Sequence, residues 1–227
     1  MVKVTFLGHA AFQLEDGDYT LLIDPFFTGN GQTPFKAADF KKVDYILVTH
    51  GHGDHVGDTV EIAGRTGATA IANAEVSGWL SGRGVKVHAM HIGGDFRFPF
   101  GRVKLTPAFH GSSINDGGKP FDGGFPCGFL VTLKGKTIYH SGDTALMLEM
   151  KLLEDEKVDV ALLPIGGNYT MGIDDAVKAV SFIKPKITVP MHYDTFDVIK
   201  ADPKDFAAKA AALTSVKVLK PGESLEL

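Results

Sequence analysis

Three histidines and an aspartate, His50, His52, Asp54 and His55, fall within six positions of the stretch VTHGHGDHVGD that runs from Val48 to Asp58. They follow directly on Tyr45–Thr49, an apolar run that reads as a strand, and precede a helical pattern from about Asp58 to Arg65. Imidazole nitrogens and carboxylate oxygens are good ligands for zinc and its first-row neighbours. Residues 50 and 52 share a face if strand geometry persists, and a turn beginning at Gly53 redirects Asp54 and His55. Four donors on such short connections crowd a single small ion, whereas two neighbouring ions accommodate them. A histidine-rich surface loop would place the same residues in no particular register with the rest of the chain. Instead, further candidates close other strand-like runs: His110 after Val103–Phe109, Asp143 after Thr137–Tyr139 and His192 after Ile187–Pro190. Strand ends along one edge are where α/β proteins gather distant functional groups.

The rest of the chain must therefore supply sheets whose ends converge. Val2–Phe6, Ala11–Leu14 and Tyr19–Ile23 read as short strands, with a hairpin turn at Glu15–Asp18, and Ala68–Ala72 and Val85–His88 flank a helix over Ala74–Ser81. Phe96–Pro99 and Val103–Thr106 read as a hairpin, and Gly128–Leu133 and Thr137–Tyr139 resume the strands after an irregular, glycine-rich stretch from His110 to Pro126. That stretch is expected to shape a pocket and to order over a substrate. From Ala145 the pattern becomes helix and strand in alternation. Helices are expected at Ala145–Asp155, Ile173–Ile183 and Pro203–Leu213, and strands at Val158–Leu163, Ile187–Pro190 and Val216–Leu219. Hairpins first and crossovers later, without a linker, predict one domain over residues 1–227.

HGHGDH at His50–His55 matches the HxHxDH motif of the metallo-β-lactamase superfamily, and His110, Asp143 in HSGDT and His192 in MHYDTF stand where that superfamily places its remaining ligands. GHA at Gly8–Ala10, LLIDPFFTGN at Leu21–Asn30, TPAFHGSS at Thr106–Ser113, GGNYTMG at Gly166–Gly172 and the closing LKPGESLEL extend the likeness along almost the whole chain. Together they resemble the branch of metal-dependent hydrolases akin to the L-ascorbate-6-phosphate lactonases. The resemblance implies an α/β fold, a four-layered αββα sandwich with two mixed β-sheets. It also implies two divalent ions, zinc or manganese foremost and nickel as a further option. One would be held by His50, His52 and His110, the second by Asp54, His55 and His192, with Asp143 bridging both. The implied activity is hydrolysis of a small ester, lactone, amide or phosphoester by a hydroxide that the two ions activate, with Asp54 and His9 as catalytic groups and His9 an aid to the leaving group. Asp24 in LLIDP is expected to hold the tautomer of a ligating imidazole. His140 either faces the pocket or supports it, and Asn168 either holds a substrate oxygen or forms a turn. Tyr193 and Thr195 would flank the pocket.

Composition narrows the alternatives. Formal charge is -4, from 23 basic and 27 acidic residues, and no basic stripe is visible, which weighs against a nucleic-acid phosphodiesterase. No GxxxxGK[ST] run and no strand–GxGxxG–helix unit point to nucleotide phosphates. A non-catalytic metal-binding protein is the third alternative, and 227 residues leave no room for the flavin domain of the superfamily's diiron members. The single cysteine, Cys127, opens an apolar strand as a small buried filler and fits a reducing compartment. With no run of 18 apolar residues and no leader pattern, the expectation is a cytoplasmic protein that acts on a small molecule away from membranes. A homo-oligomer remains compatible with the sequence.

Overall fold

The computed structural model describes all residues from 1 to 227. Strands β1 (Lys3–Gly8), β2 (Ala11–Glu15) and β3 (Thr20–Ile23) form an antiparallel meander. Beyond it β4 (Tyr45–Leu47), β5 (Thr69–Asn73) and β6 (Lys86–Met90) add in parallel through helical crossovers. The second sheet repeats this plan. β7 (Asp95–Phe98), β8 (Gly101–Pro107), β11 (Cys127–Leu133) and β12 (Lys136–His140) are antiparallel, and β13 (Val160–Pro164), β14 (Ile187–Met191) and the two-residue β15 (Ser215–Val216) continue in parallel. A separate hairpin, β9 (Ser113–Asp116) and β10 (Lys119–Asp122), projects between β8 and β11. The last strand, β16 (Ser224–Glu226), returns to pair with β1, so each large sheet has seven strands.

The alternation of side chains along these strands produces two faces per sheet, both apolar, which requires cover on both sides. Val4, Phe6, Leu21 and Leu47 of the first sheet meet Val103, Phe129, Val131 and Val189 of the second in one buried cluster. On the outer face of the first sheet, Ile46 and Ala70 pack under helices α1 (Gly53–Val56), α2 (Thr59–Thr66) and α3 (Ala74–Ser81). On the outer face of the second, Leu130, Tyr139 and Leu163 pack under α4 (Ile173–Ile183), α5 (Pro203–Ala210) and a 3-10 segment over Leu148–Glu156. The layers are therefore αββα with two mixed sheets, as the resemblance implied.

Four expectations need correction. Ala145–Asp155 does not wind as an α-helix; Leu148–Glu156 is 3-10, with Glu154, Asp155 and Glu156 crowding acid charge at the end where the helix dipole disfavours it. Pro203–Leu213 stops being helical at Ala210. Val216–Leu219 contributes only Val216 to an edge strand, and the backbone tie to β14 ends one residue later, where Lys217 N–H donates to the Thr188 carbonyl at 2.9 Å. The glycine-rich stretch holds the β9–β10 hairpin, whose outer strand is exposed at every residue and so carries no apolar alternation to read.

Candidate metal centre

The ends of β1, β3 and β4 in one sheet and of β8, β12 and β14 in the other lie together, held by backbone bonds between the sheets. His192 N–H donates to the His9 carbonyl at 2.8 Å, and Cys127 N–H donates to the Thr49 carbonyl at 3.0 Å. Glycine makes the close approach feasible. A Cβ at Gly51 would collide with the Ser112 carbonyl, and Gly142, at φ 60°, lets the chain before Asp143 turn against Cys127 and Thr49.

Asp24 follows β3 directly, with φ 46°, and is fully buried. Its carboxylate accepts from Thr49 N–H at 2.8 Å and from the Thr49 hydroxyl at 2.7 Å, and it meets His55 Nδ1 at 2.7 Å. Because a carboxylate only accepts, Nδ1 of His55 carries the hydrogen and Nε2 points at the cluster. Thr49 does the same for His50: its hydroxyl hydrogen goes to Asp24, so His50 Nδ1, 2.9 Å away, donates to it and leaves Nε2 free.

The free atoms converge. His50 Nε2 lies 3.1 Å from His52 Nδ1, and Asp143 Oδ2 lies 3.0 Å from His192 Nε2, 3.3 Å from His55 Nε2 and 3.5 Å from His110 Nε2. Asp54 Oδ2 is 3.2 Å from His9 Nε2, 3.9 Å from His192 Nε2 and 4.0 Å from His55 Nε2. Three overlapping groups result, His50–His52–His110, His50–His55–Asp143 and His9–Asp54–His55–His192, each with donor atoms within 4.8 Å of one another. The buried atoms His55 Nε2, Asp143 Oδ1 and both ring nitrogens of His192 have no hydrogen-bond partner. Polar atoms buried without partners cost about 1–3 kcal/mol each, and cations seated among them would satisfy several together. The donor set, imidazole and carboxylate at two adjoining positions, fits divalent first-row ions.

Electrostatics divides the ring. Burial keeps His50 well below its ordinary imidazole pKa and lowers His52 and His110, so these rings stay neutral and available as ligands. Burial acts the same way on His55, but the carboxylates of Asp143 and Asp24 outweigh it and hold that ring well above its ordinary value. Burial would raise Asp143, yet His55 and His192 hold it well below the usual carboxylate range. His52, Asp54 and His110 are only partly buried and form the open side of the cluster.

The remaining expected site residues fall less uniformly. His140 is buried with Nε2 at 2.9 Å from the Ala10 carbonyl, and its Nδ1 accepts from Gly142 N–H at 3.1 Å; it supports the turn before Asp143 and faces no pocket. His9 is also fully buried, with Nδ1 at 2.8 Å from Thr195 Oγ1 and Nε2 at 3.2 Å from Asp54 Oδ2, and burial pulls its pKa down to about 4. Asn168 is exposed at φ 54° in a tight turn and is no part of the cluster. Tyr193 packs against the outer core, and Cys127 is buried with its thiol directed at the Thr49 carbonyl. Ser112, which accepts from Gly51 N–H at 3.0 Å and donates to the Gly123 carbonyl, pins the base of the β9–β10 hairpin beside the cluster. Neither Ser112 nor Gln32, bonded to Thr195 at 3.0 Å, stands out in the sequence, since each acts across loops distant along the chain.

The family model of a beta-lactamase superfamily domain matches residues 3–192. A UPF0173 metal-dependent hydrolase of Carboxydothermus hydrogenoformans is 53% identical over 228 residues, covering 100% of both chains. Among solved structures, a metallo hydrolase from the hyperthermophilic archaeon Ignicoccus hospitalis superposes with a TM-score of 0.91 at 38% identity, over 100% of this chain and 99% of that one. A candidate zinc-dependent hydrolase of the metallo-beta-lactamase superfamily from Thermotoga maritima has a TM-score of 0.60 at 22% identity, covering 92% and 85%, a likeness of fold alone.

Proposed function

Because the chain belongs to the beta-lactamase superfamily, and within it to the UPF0173 metal-dependent hydrolases, we propose that it is a binuclear hydrolase of small esters, lactones, amides or phosphoesters. The observation that carries this reading is the convergence of seven donors, His50, His52, Asp54, His55, His110, Asp143 and His192, from the ends of two sheets. His50, His52 and His110 would hold one divalent ion, Asp54, His55 and His192 the other, and Asp143, which reaches toward both groups, would join them. Bound there, the ions would lower the pKa of water and stabilise the anion that develops as an acyl or phosphoryl centre is attacked.

The protein's own groups supply the rest. Asp24 and Thr49 orient the rings of His55 and His50, so that little rearrangement is needed on loading. The buried side of the cluster excludes bulk water, and a substrate approaches over His52, Asp54 and His110. Burial would raise Asp54, yet the imidazoles around it hold it ionised, and its carboxylate would accept a hydrogen bond from the attacking water. The carboxylates of the cluster pair only with imidazoles, and no lysine or arginine ion pair touches it. With a net charge of -4, this favours a small substrate over a polyanion such as RNA.

A panel of lactones, esters, amides and phosphodiesters, assayed with and without added zinc or manganese, tests the reading. Asp143→Asn and His192→Ala are expected to lower kcat/KM by at least about 100-fold on whichever substrate is turned over. Wild-type rates in both variants would remove the proposed centre from the reaction. RNA cleavage lost in the same variants would move the assignment to a nuclease.

A further inference from the structure

We propose that His9 is an additional nitrogen ligand of the ion held by Asp54, His55 and His192, its coordinating nitrogen freed by a hydrogen-bond relay from Gln32 through Thr195. The inference rests on the binuclear reading above and adds to it a residue outside the HxHxDH, His110, Asp143 and His192 set.

The relay fixes where each hydrogen lies. Gln32 Nε2 donates to the Tyr193 carbonyl at 3.0 Å, and a carbonyl only accepts, so the amide orientation is determined. Its Oε1 is then turned to Thr195 and accepts the hydroxyl hydrogen at 3.0 Å. With that hydrogen committed, Thr195 Oγ1 offers only lone pairs to His9 Nδ1, 2.8 Å away, and Nδ1 must be the donor. A neutral imidazole holds one ring hydrogen, so His9 Nε2 presents a lone pair.

That nitrogen lies 3.2 Å from Asp54 Oδ2 in a fully buried ring. Two acceptors facing each other at that distance repel, and a cation between them turns the repulsion into attraction. Cis ligands bonded about 2.1 Å from one ion stand about 3 Å apart, the spacing His9 and Asp54 already have. His9 Nε2 belongs with Asp54, His55 and His192 to one group of mutually close donors, and the His9 and His192 rings lie 4.1 Å apart between centroids. A ring with hydrogens on both nitrogens that donates to Asp54 is the rival arrangement.

The test loads the full chain with zinc. It combines a structure with anomalous scattering at the metal edge and stepwise zinc affinities for wild type, His9→Asn, Thr195→Val and Gln32→Leu. Asparagine suits the left-handed backbone at position 9, where φ is 58°, but is too short to reach the cluster. The expected result is zinc within about 2.3 Å of His9 Nε2, one of two zinc steps weakened about 10–100-fold in Thr195→Val and Gln32→Leu, and that step lost in His9→Asn. Circular dichroism melts of the ion-free variants separate this from misfolding, since the relay variants should keep their fold. Two zinc ions bound with His9 outside the shell, or both steps unchanged in folded relay variants, overturn the proposal alone. A wild type that binds no zinc overturns it together with the binuclear reading.

Discussion

At the scale of single residues, Asp24 shows how a group that would touch no substrate can govern the centre. Its two oxygens take three donors, Thr49 N–H, the Thr49 hydroxyl and His55 Nδ1, with no water at hand to replace any of them. Asp24→Asn turns one oxygen into a donor facing a donor. The expected cost is about 1–3 kcal/mol of stability, read from urea unfolding. The same exchange frees the His55 ring to adopt the other tautomer, so zinc affinity at one step should fall about 10–100-fold in calorimetric titration. Full affinity in a destabilised Asp24→Asn protein would show that His55 needs no orienting partner. Asp24 was readable as a support for an imidazole only through the resemblance, which implies an aspartate beside the histidine cluster at the end of that strand. His9 was not readable as a buried link between Asp54 and Thr195, because sequence places it on a turn and says nothing about the loop that covers it. Thr195 and Gln32 are 163 residues apart, and no local pattern announces a bond of that separation.

Among the elements, the 3-10 segment Leu148–Glu156 depends most on side chains outside itself. Runs of 3-10 geometry longer than three or four residues are uncommon, and this one is tied down at its end. Glu156 accepts from Arg102 at 2.6 Å and from Lys104 at 2.8 Å, both on β8, and Arg102 also donates to Asp95 on β7 at 2.7 Å. Arg102 bonding, helped by Lys104 and opposed by partial burial, pulls the Glu156 carboxyl from its ordinary 4.5 to about 2. A depressed carboxyl stabilises the fold above its unfolded pKa and ceases to do so as pH falls through the folded one. Glu156→Gln should therefore be less stable than wild type by about 1 kcal/mol at pH 7, a value discounted for solvent screening. The two should converge as pH drops from 4.5 towards 2, and denaturant unfolding at a series of pH values measures this. A constant difference across that range would take the ion pair out of the account. The same segment marks a limit of sequence reading. Ala74–Ser81 and Ile173–Ile183 were legible to the residue; the first has Asn73 as its cap, whose side chain accepts from Val76 N–H, and the second has the apolar stripe Ala176, Ala179, Val180 and Ile183. Leu148–Glu156 has apolar residues at helical spacing too, but its winding was decided by acids at its end and by tertiary ties to β8.

For the molecule as a whole, the centre is a clasp between two sheets. His50, His52, Asp54 and His55 come from the first, and His110, Asp143 and His192 from the second, with the shared apolar core behind them. An ion held by both sheets binds the folded chain far better than the unfolded one, where donors from residue 54 to residue 192 are dispersed. The short HGHGDH stretch keeps some affinity after unfolding, which reduces the linkage without removing it. At a free ion concentration one hundred times Kd, each site should add up to about 2.7 kcal/mol to the unfolding free energy, or about 5–10 °C in Tm for a chain of this size. Scanning calorimetry with zinc or manganese, and again after a chelator, should show that gain appear and vanish. Asp143→Asn separates an ion clasp from general salt effects. It keeps all the imidazole donors of both sheets and alters only the carboxylate that reaches toward both groups, so the ion-dependent gain should shrink. If the variant gained as much Tm from zinc as wild type, Asp143 would have no part in the clasp, and the carboxylate would not be what joins the ions across the two sheets.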